Sequence, residues 1–309
     1  MMSIKTYMKE IEESAVHDGP GTRSLVFLKG CALKCKWCQN PELIDPQPQI
    51  WLHEVRCVKC GRCEEVCPAD AIHLDAKFRF DSAKCLGVSC SKCVEVCPEN
   101  AMEIVGHEVT PEEVFKKLQR YKIFYENSGG GVTLSGGDPL FVHEFSAELL
   151  RLCREDYIPT AIETALFANY DIIRKVIVDN CDHLLCDIKH MDSDKHKEGT
   201  GVPNELILEN YKRLNEDFKH EITVRIPLIP GYNDDEENIR RTAEFLVPLQ
   251  QVTRIDLLPF NFLAATKYHV LGVDWCYKGA ERQSDEYLKK LHAIIDSFDR
   301  FKSTIGGLW

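Results

Sequence analysis

Long apolar runs, an export signal and an excess of positive charge are all missing from this sequence of 309 residues. No run approaches the ~18 apolar residues that a membrane-spanning helix requires. The start, Met1-Met2-Ser3-Ile4-Lys5, leads into charged residues instead of the apolar core of a signal peptide. Lys and Arg number 38 against 49 Asp and Glu, a formal net charge of −11, which is a poor surface for displacing counterions from phosphates. Membrane insertion, export and nonspecific nucleic-acid binding are therefore set aside, and a cytoplasmic location is expected. The hydrophobic content of 44% is ordinary, so the chain has the material for a core. At ~150 residues per domain, its length suits one large unit or two smaller ones.

Cysteine is the residue in excess, with fifteen copies. Cytosolic thiols stay reduced, so dense and regular spacing points to metal or iron–sulfur ligation, not disulfides. Eleven of the fifteen lie between Cys31 and Cys97; Cys153, Cys181, Cys186 and Cys276 lack ligand spacing and read as small buried hydrophobes. Eight of the eleven form an internal repeat. Cys57-Val-Lys-Cys60-Gly-Arg-Cys63-Glu-Glu-Val-Cys67-Pro68 is followed by Cys85-Leu-Gly-Val-Ser-Cys90-Ser-Lys-Cys93-Val-Glu-Val-Cys97-Pro98. The spacing resembles that of a bacterial two-cluster ferredoxin, in which three cysteines of one run and the last of the other hold each cluster. Carried over by position, one [4Fe–4S] cluster would use Cys57, Cys60, Cys63 and Cys97, and the other Cys67, Cys85, Cys90 and Cys93. Two extra residues separate Cys85 from Cys90, where the pattern departs from the ferredoxin spacing. A pair of zinc knuckles is the alternative for this segment.

The remaining three are Cys31-Ala-Leu-Lys-Cys35-Lys-Trp37-Cys38. Three thiolates hold a cubane but leave one iron without a protein ligand, and an open metal position distinguishes a catalytic site from a structural one.

Short strand-like runs at 24–28, 132–135, 160–164, 183–187, 223–227 and 254–258 alternate with amphipathic helical stretches at about 143–156, 170–179, 204–218, 235–247 and 285–298. A further helix begins at Thr110-Pro111-Glu112-Glu113, a capping box with Pro at its first position. This alternation predicts an α/β fold with a parallel sheet, and six units predict a partial (β/α)6 barrel. Residues 1–52 and 105–309 would form the barrel and 53–104 a ferredoxin-like insert. Each strand runs into residues with chemistry at its carboxyl end, the rim where β/α barrels assemble active sites.

The C-x3-C-x2-C spacing resembles the radical S-adenosylmethionine (SAM) superfamily. With His17-Asp18-Gly19-Pro20-Gly21-Thr22-Arg23, Trp37-Cys38-Gln39-Asn40-Pro41, Arg225-Ile226-Pro227-Leu228-Ile229-Pro230-Gly231 and Leu258-Pro259-Phe260-Asn261, the whole chain resembles a glycyl-radical-enzyme activating enzyme of the subgroup with a two-cluster insert. The resemblance implies an oxidoreductase that cleaves SAM reductively to a 5′-deoxyadenosyl radical, which takes hydrogen from a backbone glycine of a partner enzyme. It implies that Cys31, Cys35 and Cys38 hold the SAM cluster and that Trp37 lies near the adenine. Gly136 and Gly137 would let the backbone approach the methionine moiety, and Asp138 would accept from its ammonium. Glu163, Thr164 and Asp187 match a cation site beside the SAM carboxylate, and strand-end hydrogen bonding explains them equally well. Lys189 and Arg225 would meet the SAM carboxylate or ribose, and Asn261 the adenosine. Most of the family has Glu at Asp138, and many relatives have His at Asn261. Asp18 and Arg23 lie in a loop that borders the peptide-substrate site in the family; a plain turn also accounts for its glycines.

The expected partners are a cognate glycyl radical enzyme and a flavodoxin- or ferredoxin-like electron donor, with no nucleic acid or membrane, and a monomer is expected. The insert favours partners of the dehydratase, decarboxylase or C–N and C–S lyase type. Two other readings stay open: a radical SAM enzyme modifying another peptide or small molecule, and a non-catalytic electron carrier, which leaves Cys31, Cys35 and Cys38 unexplained.

Overall fold

The computed structural model describes residues 4–74, 78–81 and 83–307; the outermost positions of the expected barrel segments and four positions of the expected insert lie outside them. In chain order the strands are β1 (Thr6–Ala15), β2 (Arg23–Leu28), β3 (Gln49–Leu52), β4 (Ile72–Leu74), β5 (Phe78–Phe80), β6 (Met102–Val105), β7 (His107–Val109), β8 (Gly131–Gly136), β9 (Thr160–Thr164), β10 (His183–Asp187), β11 (Ile222–Pro227), β12 (Val252–Leu258) and β13 (Lys302–Ile305). Nine of them make one sheet in the order β13-β12-β11-β10-β9-β8-β2-β1-β7. The six expected strands are its parallel centre, and helices follow them, as at His143–Glu155, Glu205–Asp217 and Glu236–Leu246. The capping box is present, with Thr110 and Glu113 satisfying each other's backbone N–H.

Three strands of this sheet were not foreseen. β13 adds a seventh parallel strand beside β12, and on the other edge β1 pairs antiparallel with β2 and β7 antiparallel with β1. β13 is only Lys-Ser-Thr-Ile, and β1 carries Glu10, Glu12 and Glu13 on a largely uncovered edge, so neither has the apolar alternation that marks a half-buried strand.

Alternation divides the parallel strands into two faces. Val26, Leu134, Ile162, Leu184, Val224 and Ile255 face the helices and form the main core. Alternate positions carry Thr133, Ser135, Glu163, Asp187, Arg225 and Asp256 toward the other side. The sheet curls around that polar side. Arg225 on β11 donates to the His17 carbonyl, in the loop that leads from β1 into β2, at 2.6 Å, whereas in a flat sheet β2 and β11 would lie four strand spacings, about 19 Å, apart.

The segment between β2 and β8 has its own core of Ile50, Trp51, Leu52, Ile72, Met102 and Val105 around Cys63 and Cys93, with Val270 packed against it. β3 pairs antiparallel with β6 and so ties the two ends of this segment together, and β4 pairs with β5. The sequence repeat is also a structural one. Short helices at Arg62–Glu65 and Lys92–Glu95 precede Cys67 and Cys97, whose Sγ atoms accept from Ala71 N–H at 3.3 Å and Ala101 N–H at 3.2 Å.

Candidate functional site

At the carboxyl ends of the parallel strands lies a cavity of about 280 Å3. Cys31, Cys35, Trp37, Cys38, Gly136, Gly137, Asp138, Glu163, Thr164, Asp187, Lys189, Arg225 and Asn261 all line it. Its cysteines are desolvated. Burial pushes the Cys31 and Cys35 thiols up and Cys38 to about 12, so thiolates there require a positive charge beside them. Irons of a cluster supply that charge, and the donor set fits one.

The loop carrying these thiols is fixed from several sides. Gly30 N–H and Cys31 N–H donate to the carbonyls of Leu43 and Ile44, and Lys34 N–H and Lys36 N–H to those of Thr200 and Gly199. Trp37 is 4% exposed and packs against Tyr232 at 4.6 Å between ring centroids; a Cβ on Gly199 would come within 2.8 Å of the Trp37 ring. Lys267 reaches across to donate to Gln39 O, Asn40 Oδ1 and Glu42 Oε1 at 2.7–2.9 Å. Neither Lys267 nor the buried Glu42 was legible as a site residue, because the short helix Ala265–Val270 carries no signal of where it docks.

The structure gives Gly136 and Gly137 a reason of their own to lack a side chain. Gly136 has φ +105, and a Cβ on it would lie 2.5 Å from Leu28 backbone atoms; one on Gly137 would lie 2.2 Å from Gly30 O. The chain's own backbone therefore demands both glycines, since β8 presses against the residues entering the cysteine loop. Asp138 is likewise engaged by the protein. Its carboxylate accepts from Thr164 Oγ1 at 2.9 and 3.0 Å and from the N–H groups of Leu140 and Ala165 at 3.0 Å, while burial raises its pKa.

At the expected cation site both carboxylates pair with charges of the chain. Glu163 accepts from Ser135 Oγ and pairs with Arg225 Nη1. Asp187 pairs with Lys189 at 2.7 Å. Among the described residues no three His, Cys, Asp or Glu side chains converge as a lone metal ion would need. Burial pushes the Glu163 carboxyl up to about 7 against the pull of Arg225. It also opposes the charge on Lys189, but Asp187 and the Cys35 and Cys31 thiols outweigh it and hold that pKa up.

Arg225 also pairs with Asp18 at 3.2 Å, which brings the Gly-Pro-Gly loop beneath the cavity. Arg23 is a strut: fully buried, it donates to Thr133 Oγ1 and to the carbonyls of Val132, Pro159 and Pro20, and burial lowers its pKa to about 10.

In the insert, one cavity is lined by Cys57, Cys60, Cys63 and Cys97 and a second by Cys67, Cys85, Cys90 and Cys93. The rest of their walls is largely apolar, with Leu52, Leu74 and Met102 in one and Ile50, Ile72 and Phe80 in the other. The two extra residues after Cys85 form a tight turn over Gly87–Ser89, and Gly87 N–H donates to Cys85 Sγ at 3.3 Å. Of the four outlying cysteines, Cys153, Cys181 and Cys186 are buried as expected, but Cys276 is exposed. Its neighbour Trp275 takes the interior place, with Nε1 donating to Lys36 O at 3.0 Å.

The family model of the Radical SAM superfamily matches residues 25–243. The choline trimethylamine-lyase activating enzyme of Oleidesulfovibrio alaskensis is 40% identical over 306 residues, covering 97% of each chain. The trans-4-hydroxy-L-proline dehydratase activating enzyme of Clostridioides difficile is 40% identical over 96% of this chain and 98% of its own. Among solved structures, Streptococcus suis SuiB bound to precursor peptide SuiA superposes with a TM-score of 0.52 at 13% identity, over 89% of this chain and 46% of that one, a likeness of fold alone.

Proposed function

The chain belongs to the radical SAM superfamily and is an activating enzyme within it, and from that premise we propose that it installs a glycyl radical on a dedicated partner of the dehydratase, decarboxylase or C–N/C–S lyase type. One observation carries this reading: residues from five strand ends and the three-cysteine loop that follows β2 line a single cavity. Cys31, Cys35 and Cys38 would hold a [4Fe–4S] cluster with one iron left for SAM. When bound, the pair supplies the electron and the 5′-deoxyadenosyl group that removes hydrogen from a backbone glycine.

The chain's own residues set the stage. Asp138 braces β8 to β9 through Thr164 and Ala165, and any lone pair left on it would be the acceptor for the ligand's ammonium. Lys189, oriented by Asp187, offers a cation close to the thiols. Trp37 and Asn261, which line the same cavity, would hold the adenosine side. Arg225 joins Glu163 in the cavity wall to Asp18 in the loop below, so the ligand side and the peptide side share one guanidinium.

The insert, taken as 53–104 between barrel segments 1–52 and 105–309, would hold two further [4Fe–4S] clusters, on Cys57, Cys60, Cys63 and Cys97 and on Cys67, Cys85, Cys90 and Cys93. The grouping of these cysteines around two cavities supports that assignment. The electron donor is taken to be a flavodoxin- or ferredoxin-like protein, and the activase to act as a monomer.

The test is anaerobic reconstitution, reduction with dithionite and addition of SAM. Release of 5′-deoxyadenosine, with a glycyl radical signal only when a partner enzyme is present, is the expected result. Cleavage with no radical on any glycyl radical enzyme would remove the activase reading.

A further inference from the structure

Two buried polar atoms on the inner side of the sheet have no partner: Asp256 Oδ2 on β12 and Arg225 Nε on β11. Their residues are directly paired in register across neighbouring strands. Asp256 is fully buried, and its other oxygen is already satisfied by Arg254 Nε at 2.8 Å and Thr304 Oγ1 at 2.6 Å. A carboxylate oxygen buried without a donor loses its hydration with nothing in return, so an unmatched acceptor beside an unmatched donor calls for a ligand.

The surroundings say which kind. Gly307 lies buried over this spot at the end of β13; a Cβ built on it would stand 3.2 Å from Leu258 Cδ2, 3.6 Å from Asp256 Oδ2 and 3.9 Å from Arg225 Nη2. A glycine backbone thus fits against the two groups without bonding to either free atom. Leu258 also lines the cysteine cavity, so the spot adjoins the site. One missing N–H donor and one missing acceptor are what a single peptide unit supplies.

We propose that Asp256 and Arg225 form a peptide-amide clamp for the partner's glycine loop. A backbone N–H of the loop donates to Asp256 Oδ2 and a backbone C=O accepts from Arg225 Nε–H, and the loop takes the place where Gly307 now covers the pair. This rests on the activase reading and extends it, naming a substrate-positioning residue, Asp256, outside the cysteine loop and the strand-end motifs.

The probe is a fluorescently labelled heptapeptide with a central α-deuterated glycine, bound to the SAM-loaded enzyme. In Asp256→Asn the side-chain oxygen can still accept from Arg254 and Thr304, while the amide then presents N–H where the peptide needs an acceptor. Affinity by anisotropy is expected to fall about tenfold, with reductive SAM cleavage in the absence of peptide unchanged. As a test that needs no variant, peptides in which single amides near the glycine are replaced by esters delete one N–H at a time. One of them should bind the wild type about tenfold more weakly yet bind Asp256→Asn no worse than the parent peptide does. Transfer of deuterium into 5′-deoxyadenosine with equal affinity in the variant, and no ester that discriminates the two proteins, overturns the clamp alone. Absence of deuterium transfer from both the peptide and a whole glycyl radical enzyme overturns the activase reading and the clamp with it.

Discussion

Cys31, Cys35 and Cys38 share their cavity with Asp138, Glu163, Asp187, Lys189 and Arg225, whereas the four-cysteine cavities of the insert are closed mostly by aliphatic and aromatic side chains. The difference lies in the count of thiols and in the wall around them. Four thiolates satisfy a cubane, and an apolar wall then needs only to exclude water. Three leave a metal position open, and a ligand taking it brings polar groups that the wall must meet with charges and hydrogen-bonding atoms of its own. The walls around the thiols thus suit binding in one region and closure in the other.

The sharpest way to break this comparison is Cys31→Ala. SAM cleavage should fall to background while iron content drops by about a third, because the insert's ligands are untouched. Retained cleavage would transfer the reactive cluster to the insert. Next in size is a pair of glycine substitutions read by thermal unfolding. Gly137→Ala drives a Cβ into the Gly30 carbonyl and should cost about 3 kcal/mol or more. Gly61→Ala in the insert meets nothing within 4 Å, although its φ is +82, and should cost about 1–2 kcal/mol. Equal costs would mean that the cysteine loop is not locked to β8 as its hydrogen bonds indicate.

A smaller effect tests how the insert divides its ligands. Cys57 and Cys97 are far apart in sequence but line one cavity, while Cys67 lines the other. Cys57→Ala and Cys57→Ala/Cys97→Ala should therefore lose the same third of the iron, and Cys57→Ala/Cys67→Ala about two thirds, by iron analysis and Mössbauer spectroscopy. Dithionite-driven SAM cleavage should change by no more than about threefold in any of them, because the open site has its own ligands.

Much of this was legible in the residues. The cysteine repeat gave the two groups of four that line the insert's cavities, because spacing and register within a short segment are local properties. The six parallel strands were readable because their outward positions are Val, Leu and Ile in alternation. What escaped was set by long-range contact. β13 is too short and polar to announce itself, Lys267 docks on a loop 225 residues earlier through Glu42, and Arg225 spends its hydrogen bonds on Glu163 and Asp18. Pattern reading names residues that face a site; it does not say which of them are already paired with each other.

That pairing yields the smallest expected effect, a pH dependence belonging to the polar cavity. Burial lifts the Glu163 pKa from 4.5 to about 7. Between those values the folded protein holds a proton that the unfolded chain has lost, so the contribution of Glu163 to stability is complete below about 4.5 and declines as pH rises through 7. Half-buried His183 and buried His190 and His196, whose pKa values desolvation lowers, bend the total in the opposite direction, so only the difference between wild type and Glu163→Gln isolates the carboxyl. In anaerobic urea unfolding between pH 5.5 and 7.5, the wild type should lose up to about 2 kcal/mol relative to Glu163→Gln as pH increases. A difference that does not vary with pH would show that Arg225 keeps Glu163 ionised throughout, making the pair a fixed part of the wall.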